Sequence, residues 1–154
     1  MDKEIDKIKN ACILLRNARG YILCVQLNNG KWTIPGGKIN KGEKKWHAAV
    51  REFKEETGNY LPDLRLENKE FTSYDYHGHT RIYIGQTNQP DLVFNSYATN
   101  GETINLAYIN PKDIFNGKIE FVDYSLRSIR EIYYFYNIQI GGNKTLYKFI
   151  NLKL

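Results

Sequence analysis

One stretch limits the fold more than any other. It is residues 43 to 57, EKKWHAAVREFKEET, where Trp46, Ala49, Val50 and Phe53 fall at i, i+3, i+4 and i+7. That spacing gathers four apolar side chains into one stripe of a helix, and such a stripe has to be buried against another element. Gly58 follows and can supply a left-handed C-terminal cap. The partner for the stripe comes from the neighbouring segments. ACILLR and YILCVQL are short β-rich runs separated by the turn signal NARG, so they read as antiparallel strands. FTSYDYHG and TRIYIGQT read as two more strands around a His77-Gly78-His79 turn, followed by an irregular stretch from Asn88 to Gly101 and a short strand, LAYI. From Asp123, an N-cap, Leu126, Ile129, Ile132 or Tyr133, and Tyr136 recur at helical spacing and define a second helix. KTLYKFINLKL closes the chain with partial strand alternation. These elements predict an α+β fold, a mixed sheet with helices packed on it.

The chain of 154 residues fits a single domain, 1–154, large enough to bury a core without disulfides or a structural metal. Its 42% apolar and 25% charged residues, with a mean hydropathy of −0.56, exclude intrinsic disorder as the expectation. No apolar run approaches the roughly 20 residues of a membrane span, and MDKEIDKIKN lacks the apolar core of a secretory signal. A cytoplasmic, intracellular protein with no membrane partner is expected. Cys12 and Cys24 lie inside apolar runs and read as buried reduced thiols rather than a bridge or a metal pair. The net charge of +5 favours a polyanionic partner, although Lys144, Lys148 and Lys153 in an acid-free final segment read most simply as a solvated tail.

The first helix also carries Glu52, Glu55 and Glu56 on one arc of about 100°, away from its Trp46/Phe53 side. Neighbouring carboxylates about 6 Å apart repel by ~0.7 kcal/mol in water and ~3 kcal/mol at an effective dielectric of 20. Arg51 can pair with Glu55 at i+4, but one guanidinium does not neutralise three anions near a helix C-terminus, where the dipole also disfavours them. A divalent cation does. Oxygen donors without a His or Cys partner favour Mg²⁺ or Mn²⁺ over zinc. Taken alone, three glutamates in five positions are more often an ordinary solvated acidic face. The preceding turn adds weight to the metal reading. Pro35 fixes its φ, while Gly36 and Gly37 allow close backbone approach, so that a main-chain carbonyl can face the same ion.

Together these residues form a longer pattern: Gly37, five residues, Glu43, seven residues, then Arg51-Glu52-Phe53-Lys54-Glu55-Glu56-Thr57-Gly58. This resembles the signature box of the Nudix, or MutT-like, hydrolases, and Trp32-Thr33-Ile34-Pro35-Gly36-Gly37 is similar to the lead-in common in that family. The likeness extends more loosely from about Asn10 to about Phe115. Asn59 stands where the box usually ends in an aliphatic residue, which bears on local packing. The resemblance implies an αβα sandwich around a mixed sheet, and metal-dependent hydrolysis of a nucleoside diphosphate linked to another group. It implies Glu52, Glu55 and Glu56 as carboxylate ligands of Mg²⁺ or Mn²⁺, the Gly36 carbonyl as a further ligand, Arg51 as the residue that orients them, and Glu43 as a supporting residue. Glu55 is the first choice of general base. Glu102, six residues before Tyr108, resembles a later acidic segment of the family and is the second.

For the substrate, Lys38 and Arg81 are candidate phosphate contacts. Tyr74, Tyr76, His77, His79 and Tyr83 can stack on a base or touch phosphate, with Tyr76 taken as the substrate contact, although strand aromatics more often pack in a core. The expected substrates are a nucleoside triphosphate, a dinucleoside polyphosphate or the 5′ end of an RNA. Two other classes compete: a Nudix-like module that binds nucleotide or RNA without turnover, and a basic nucleic-acid-binding domain. The intact Arg51, Glu52, Glu55 and Glu56 weigh against the first. The second lacks a zinc pattern or an aromatic RNA-binding signature.

Overall fold

The computed structural model describes residues 7–58, 64–89, 93–95 and 103–138. The described strands are β1 (Asn10–Arg16), β2 (Ile22–Leu27), β3 (Trp32–Thr33), β4 (Gly36–Lys38), β5 (Thr72–Tyr76), β6 (Thr80–Gln86), β7 (Val93–Asn95) and β8 (Thr103–Ile109). The helices are α1 (Lys45–Thr57), α2 (Pro111–Phe115) and α3 (Asp123–Phe135). The strands join one sheet in the order β5-β6-β1-β2-β8-β7, with β3 on β2 and β4 on β1. The β1–β6 pair is parallel and the others antiparallel, so the sheet is mixed as expected.

Alternation along β1 sets the layers. Ala11, Ile13 and Leu15 join Leu23 and Val25 of β2 on one face, under Ala48, Ala49 and Phe53 of α1. Leu14, with Ile22 and Cys24 of β2, faces the other way under Ile129, Ile132 and Tyr133 of α3. Trp46 completes the first layer, its ring 5.0 Å from that of Tyr83 and 5.1 Å from that of Phe71. Helices thus cover both faces, giving the αβα sandwich expected from the resemblance.

β1 and β2 pair directly only at Arg16↔Ile22. Towards the start of β1 they separate, and the segment from Trp32 to Lys38 fills the fork, β3 holding to β2 and β4 to β1. Sequence reading did not assign these two strands. They are two and three residues long, and Pro35 with two glycines leaves no alternation to read.

Several boundaries differ from expectation. α1 begins at Lys45 rather than Glu43, because Glu43 is in a turn where its N–H donates to Asn40 O. Gly58 has φ 61° and ψ −142°, outside the left-handed helical basin but in a region that only glycine occupies readily, and its N–H donates to Lys54 O at 2.8 Å. Asp123 is the first residue of α3 instead of its cap, and it pairs with Arg127 at i+4. α2 was missed although it has a local signal, an Asn110 side chain that accepts from Lys112 N followed by Pro at the first position. The stretch read as irregular contains β7, which pairs with β8. The final segment KTLYKFINLKL and Glu102 lie outside the described residues.

Arg16 is 1% exposed on the α3 side, near the Tyr133 ring, and its Nε and Nη1 have no hydrogen-bond partner among the described residues. No described helix is long and apolar enough to cross a membrane.

Candidate active site

The C-terminal half of α1 lies against β4, where the missing side chain of Gly37 leaves room for Glu52. A Cβ on Gly37 would meet the Glu52 carboxylate at 2.5–2.8 Å, and one on Gly36 would meet Cys12 of β1. The bare backbone at Gly37 gives the Glu52 carboxylate its place between helix and strand, and that at Gly36 lets β4 lie close on β1. The antiparallel ladder then decides where the Gly36 groups point. Pro35 O accepts from Ile13 N and Ile39 N donates to Lys9 O, so residues 35, 37 and 39 face β1 while Gly36 and Lys38 face outward. Gly36 N donates to Glu56 Oε1 at 2.7 Å and Lys38 O accepts from Arg51 Nη2 at 2.9 Å. By the same alternation, the Gly36 carbonyl is directed away from β1.

Arg51 is the hub of the acidic face. Nε and Nη2 donate to Glu43 Oε2 and Oε1 at 2.8 and 3.0 Å, and Nη1 donates to Glu52 Oε1 at 2.9 Å and Glu55 Oε1 at 3.2 Å. With Lys38 O, every N–H of the guanidinium is used. The Glu43 hydrogen bonds, followed by those of Glu52 and Glu55, hold the guanidinium charged far beyond its ordinary range. In return, the hydrogen bond from Arg51 and the Asn40 N–H pull Glu43 down to about 2. The expected Arg51–Glu55 pair is therefore present, within a larger network.

The three carboxylates do not share one environment. Glu55 is 43% exposed and Glu52 is 17% exposed at the side chain, whereas Glu56 is buried at 5%. Among the described residues, no three His, Cys, Asp or Glu side chains are grouped so as to hold a metal ion. Arg51 and the Gly36 N–H take up the acidic oxygens instead. The donor set nevertheless fits a hard divalent cation, because all of it is oxygen. The nearby thiol does not change this, since burial, then Glu56 and Glu52, push Cys12 up to about 12 and keep it protonated.

Glu56 also borders a cleft of about 370 Å³ at the fork of the sheet, lined further by Asn10, Cys12, Thr80, Tyr124, Ser125 and Ser128. Tyr124 Oη lies 2.8 Å from Thr80 Oγ1 and 2.9 Å from His79 Nδ1.

A family model described as NUDIX domain matches residues 6–127. This chain belongs to the Nudix family. An RNA pyrophosphohydrolase from Campylobacter jejuni subsp. doylei is 34% identical over 106 residues, 66% of this chain and 61% of that relative's length. Among solved structures, a putative nudix hydrolase family member from Chromobacterium violaceum superposes with a TM-score of 0.58 at 18% identity, covering 97% of this chain and 92% of the other. The MutT protein from Methanosarcina mazei Go1 gives a TM-score of 0.57 at 20% identity, covering 90% of this chain and all of that one. These two likenesses establish the Nudix fold.

In this Nudix domain, Gly36, Arg51, Glu52, Glu55 and Glu56 come together with Glu43. Lys38 is exposed, in register with Asn10 on β1. The substrate contacts read from the strands need correction. Tyr76 is 3% exposed, its ring against Tyr124 within the α3-side core, so it presents no surface to a substrate. Arg81 stands in the same row as Ala11 and Gly37, two strands and ~10 Å from Gly37. Its guanidinium is bound at both ends by Asp75, at 2.7 and 2.9 Å, rather than delivered to the carboxylates. Tyr74 donates to Glu131 of α3, and Tyr83 is packed under Trp46. Sequence reading missed Thr80, Tyr124, Ser125 and Ser128. They come from β6 and α3, and no local pattern links them to the box.

Proposed function

We propose that the chain is a divalent-metal-dependent pyrophosphohydrolase that cleaves the P–O–P bond of a nucleoside diphosphate linked to another group. The substrate is a nucleoside triphosphate, a dinucleoside polyphosphate or the triphosphorylated 5′ end of an RNA. The observation that carries the reading is the approach of Glu52 and Glu56 to Gly36–Gly37, with Glu56 both on the acidic face and at the lip of the cleft. The likeness to a relative named RNA pyrophosphohydrolase and the net charge of +5 support the RNA end.

In this reading Glu52, Glu55, Glu56 and the Gly36 carbonyl hold Mg²⁺ or Mn²⁺. Such a cation offsets charge on the pyrophosphate oxygens and lowers the pKa of a water. The chain's own residues position and deprotonate. Arg51 fixes Glu52 and Glu55 in the ground state, tied in place by Glu43 and Lys38 O. Glu55, the most exposed of the three, accepts the proton of the attacking water as a P–O bond forms and the anhydride P–O bond breaks, with Glu102 as the second choice of base. Lys38 contacts the departing phosphate.

The test is Glu56→Gln, assayed with Mg²⁺ or Mn²⁺ on a panel of nucleotides and triphosphorylated RNA, with and without chelator. The amide keeps the acceptor for Gly36 N but removes the charge. The expected loss is about 10³ in kcat, equivalent to about 4 kcal/mol, with an unchanged circular dichroism spectrum. Near wild-type turnover would remove Glu56 from the site. Tight binding of one panel member with no hydrolysis by the wild type would make the chain a binding module.

A further inference from the structure

Glu56 stands in the last turn of α1, where the final carbonyls of any helix lose their intrahelical partners. Gly58 N takes up Lys54 O at 2.8 Å. The Glu56 carbonyl is met from outside the helix. Thr103 Oγ1, at the start of β8 and 47 residues further along the chain, donates to it at 3.2 Å. Glu56 is 5% exposed and Thr103 1%, so the bond is made away from water, where a carbonyl left without a donor is costly.

Regular alternation would aim Thr103 elsewhere. On β8, Leu106 and Tyr108 pack on the α1 side, and Ala107 and Ile109 on the α3 side. A period of two then places Ile104 with the α1 set and Thr103 with the α3 set. The ladder with β2 breaks that count: Gln26 pairs with Asn105 but Leu27 with Thr103, so Ile104 is one residue too many opposite the step from Gln26 to Leu27. Such a bulge re-aims the side chains beside it. Thr103 turns to the α1 side and reaches the helix, while Ile104 is left 38% exposed. Glu56 is thereby gripped at two points by two strands. Gly36 N of β4 holds its carboxylate at 2.7 Å, and Thr103 of β8 holds its carbonyl. Anchors at both ends of one residue fix where its carboxylate stands relative to Glu52 and Glu55.

We infer that Thr103 is a positioning residue for Glu56, acting through the backbone of α1 and touching neither cation nor substrate, and that the bulge at Ile104 is the device that delivers its hydroxyl. The inference rests on the pyrophosphohydrolase reading and adds to it a residue far from the box in sequence. In the experiment, the full chain is titrated with Mn²⁺ without nucleotide, free Mn²⁺ is read from its electron paramagnetic resonance signal, and the same samples are melted and assayed for hydrolysis. Thr103→Val keeps the volume and loses the donor. It should raise the half-saturating Mn²⁺ concentration about tenfold, the lower end of the loss on removing a group that orients a metal ligand, with kcat falling by a similar factor. Thr103→Ser keeps the hydroxyl and loses the methyl, so it should retain wild-type Mn²⁺ affinity even where its Tm falls. Thr103→Ala removes the same hydroxyl and replaces Thr103→Val should that variant not fold. Wild-type Mn²⁺ affinity in a folded variant without the hydroxyl overturns the assignment. So does an equal loss in Thr103→Ser, because packing rather than the hydrogen bond would then be responsible. A protein that binds Mn²⁺ in this Thr103-dependent way but cleaves no pyrophosphate overturns the pyrophosphohydrolase reading and leaves the positioning role standing. A wild type that takes up no Mn²⁺ overturns both.

Discussion

Gly37→Ala separates the site from the fold. The new Cβ would lie 2.5 Å from Glu52 Cδ and 2.6 and 2.8 Å from its carboxylate oxygens, about 1 Å inside the ~3.5–4.0 Å of ordinary contact. The obstacle is the far end of a flexible side chain, so Glu52 moves and the backbone does not. The move breaks the Arg51–Glu52 pair, whose side chains are 28% and 17% exposed. That costs about 1 kcal/mol or less, or ~2–4 °C in Tm for a chain of this size. Displacing a functional carboxylate by about 1 Å costs about 10²-fold in rate, equivalent to ~2.7 kcal/mol of barrier. The expectation is a hundredfold fall in kcat/KM, a higher Mg²⁺ concentration at half-maximal rate, and a Tm within about 4 °C of wild type. Steady-state hydrolysis across a Mg²⁺ and Mn²⁺ series, with thermal melts on the same samples, measures all three. Activity within threefold of wild type would take Glu52 out of the cation-holding set. A fall of more than about 10 °C in Tm, well beyond the loss of one partly exposed pair, would show that the backbone yields, contrary to the steric argument.

The neighbouring glycine should behave in the opposite way. A Cβ on Gly36 meets Cys12 Sγ and lies 2.7 Å from Cys12 Cα and 2.8 Å from Ala11 O, backbone that cannot step aside. Gly36→Ala should therefore lower stability by ~1–3 kcal/mol, read as several degrees of Tm, and unchanged melting would contradict the packing of β4 on β1. Glu43 supplies a pH dependence. Its carboxyl is lowered from 4.5 to about 2, so its contribution to stability is complete above 4.5 and is lost as pH falls towards 2. The stability gap between wild type and Glu43→Gln, from denaturant melts, should be constant above pH 5 and close as pH drops through that window. A gap independent of pH would dissociate Glu43 from Arg51. Arg16→Met should raise stability by ~1–2 kcal/mol, because it removes buried Nε and Nη1 donors that have no partner among the described residues. A lower Tm in that variant would reveal a partner for the guanidinium.

What was legible in the sequence is what one helix and its flanking turn encode locally. The Trp46–Phe53 stripe fixes the buried side of α1, and the helical period then fixes where Glu52, Glu55 and Glu56 stand. The strand pairs and α3 follow from equally local patterns. The reach of Arg51 was harder to see. Glu43 is eight residues back, outside helical neighbour distance, and meets Arg51 only because the chain turns at Asn40–Glu43 before α1 begins. Tyr76 was misplaced for a related reason. Alternation says that Tyr74 and Tyr76 share a face, but in a sheet covered by helices on both sides neither face is a solvent face, so period two cannot identify the exposed one.

The fork between β1 and β2 is where the local and long-range parts meet. A continuous ladder between these strands would seal the sheet and leave the acidic face and the α3-side core on opposite sides of a closed wall. Because the pairing stops at Arg16↔Ile22 and a segment with two bare glycines fills the gap, Glu56 can belong to both sides: its carboxylate bonds Gly36 N, and it borders the cleft formed by β1, β6 and α3. The glycines thus do two jobs. Gly37 makes room for the Glu52 carboxylate beside β4, and Gly36 lets β4 lie close on β1 while its N–H holds the Glu56 carboxylate at the edge of the cleft. Adding one carbon at Gly37 therefore perturbs the chemistry, while adding one at Gly36, a residue away on the same strand, perturbs the wall itself.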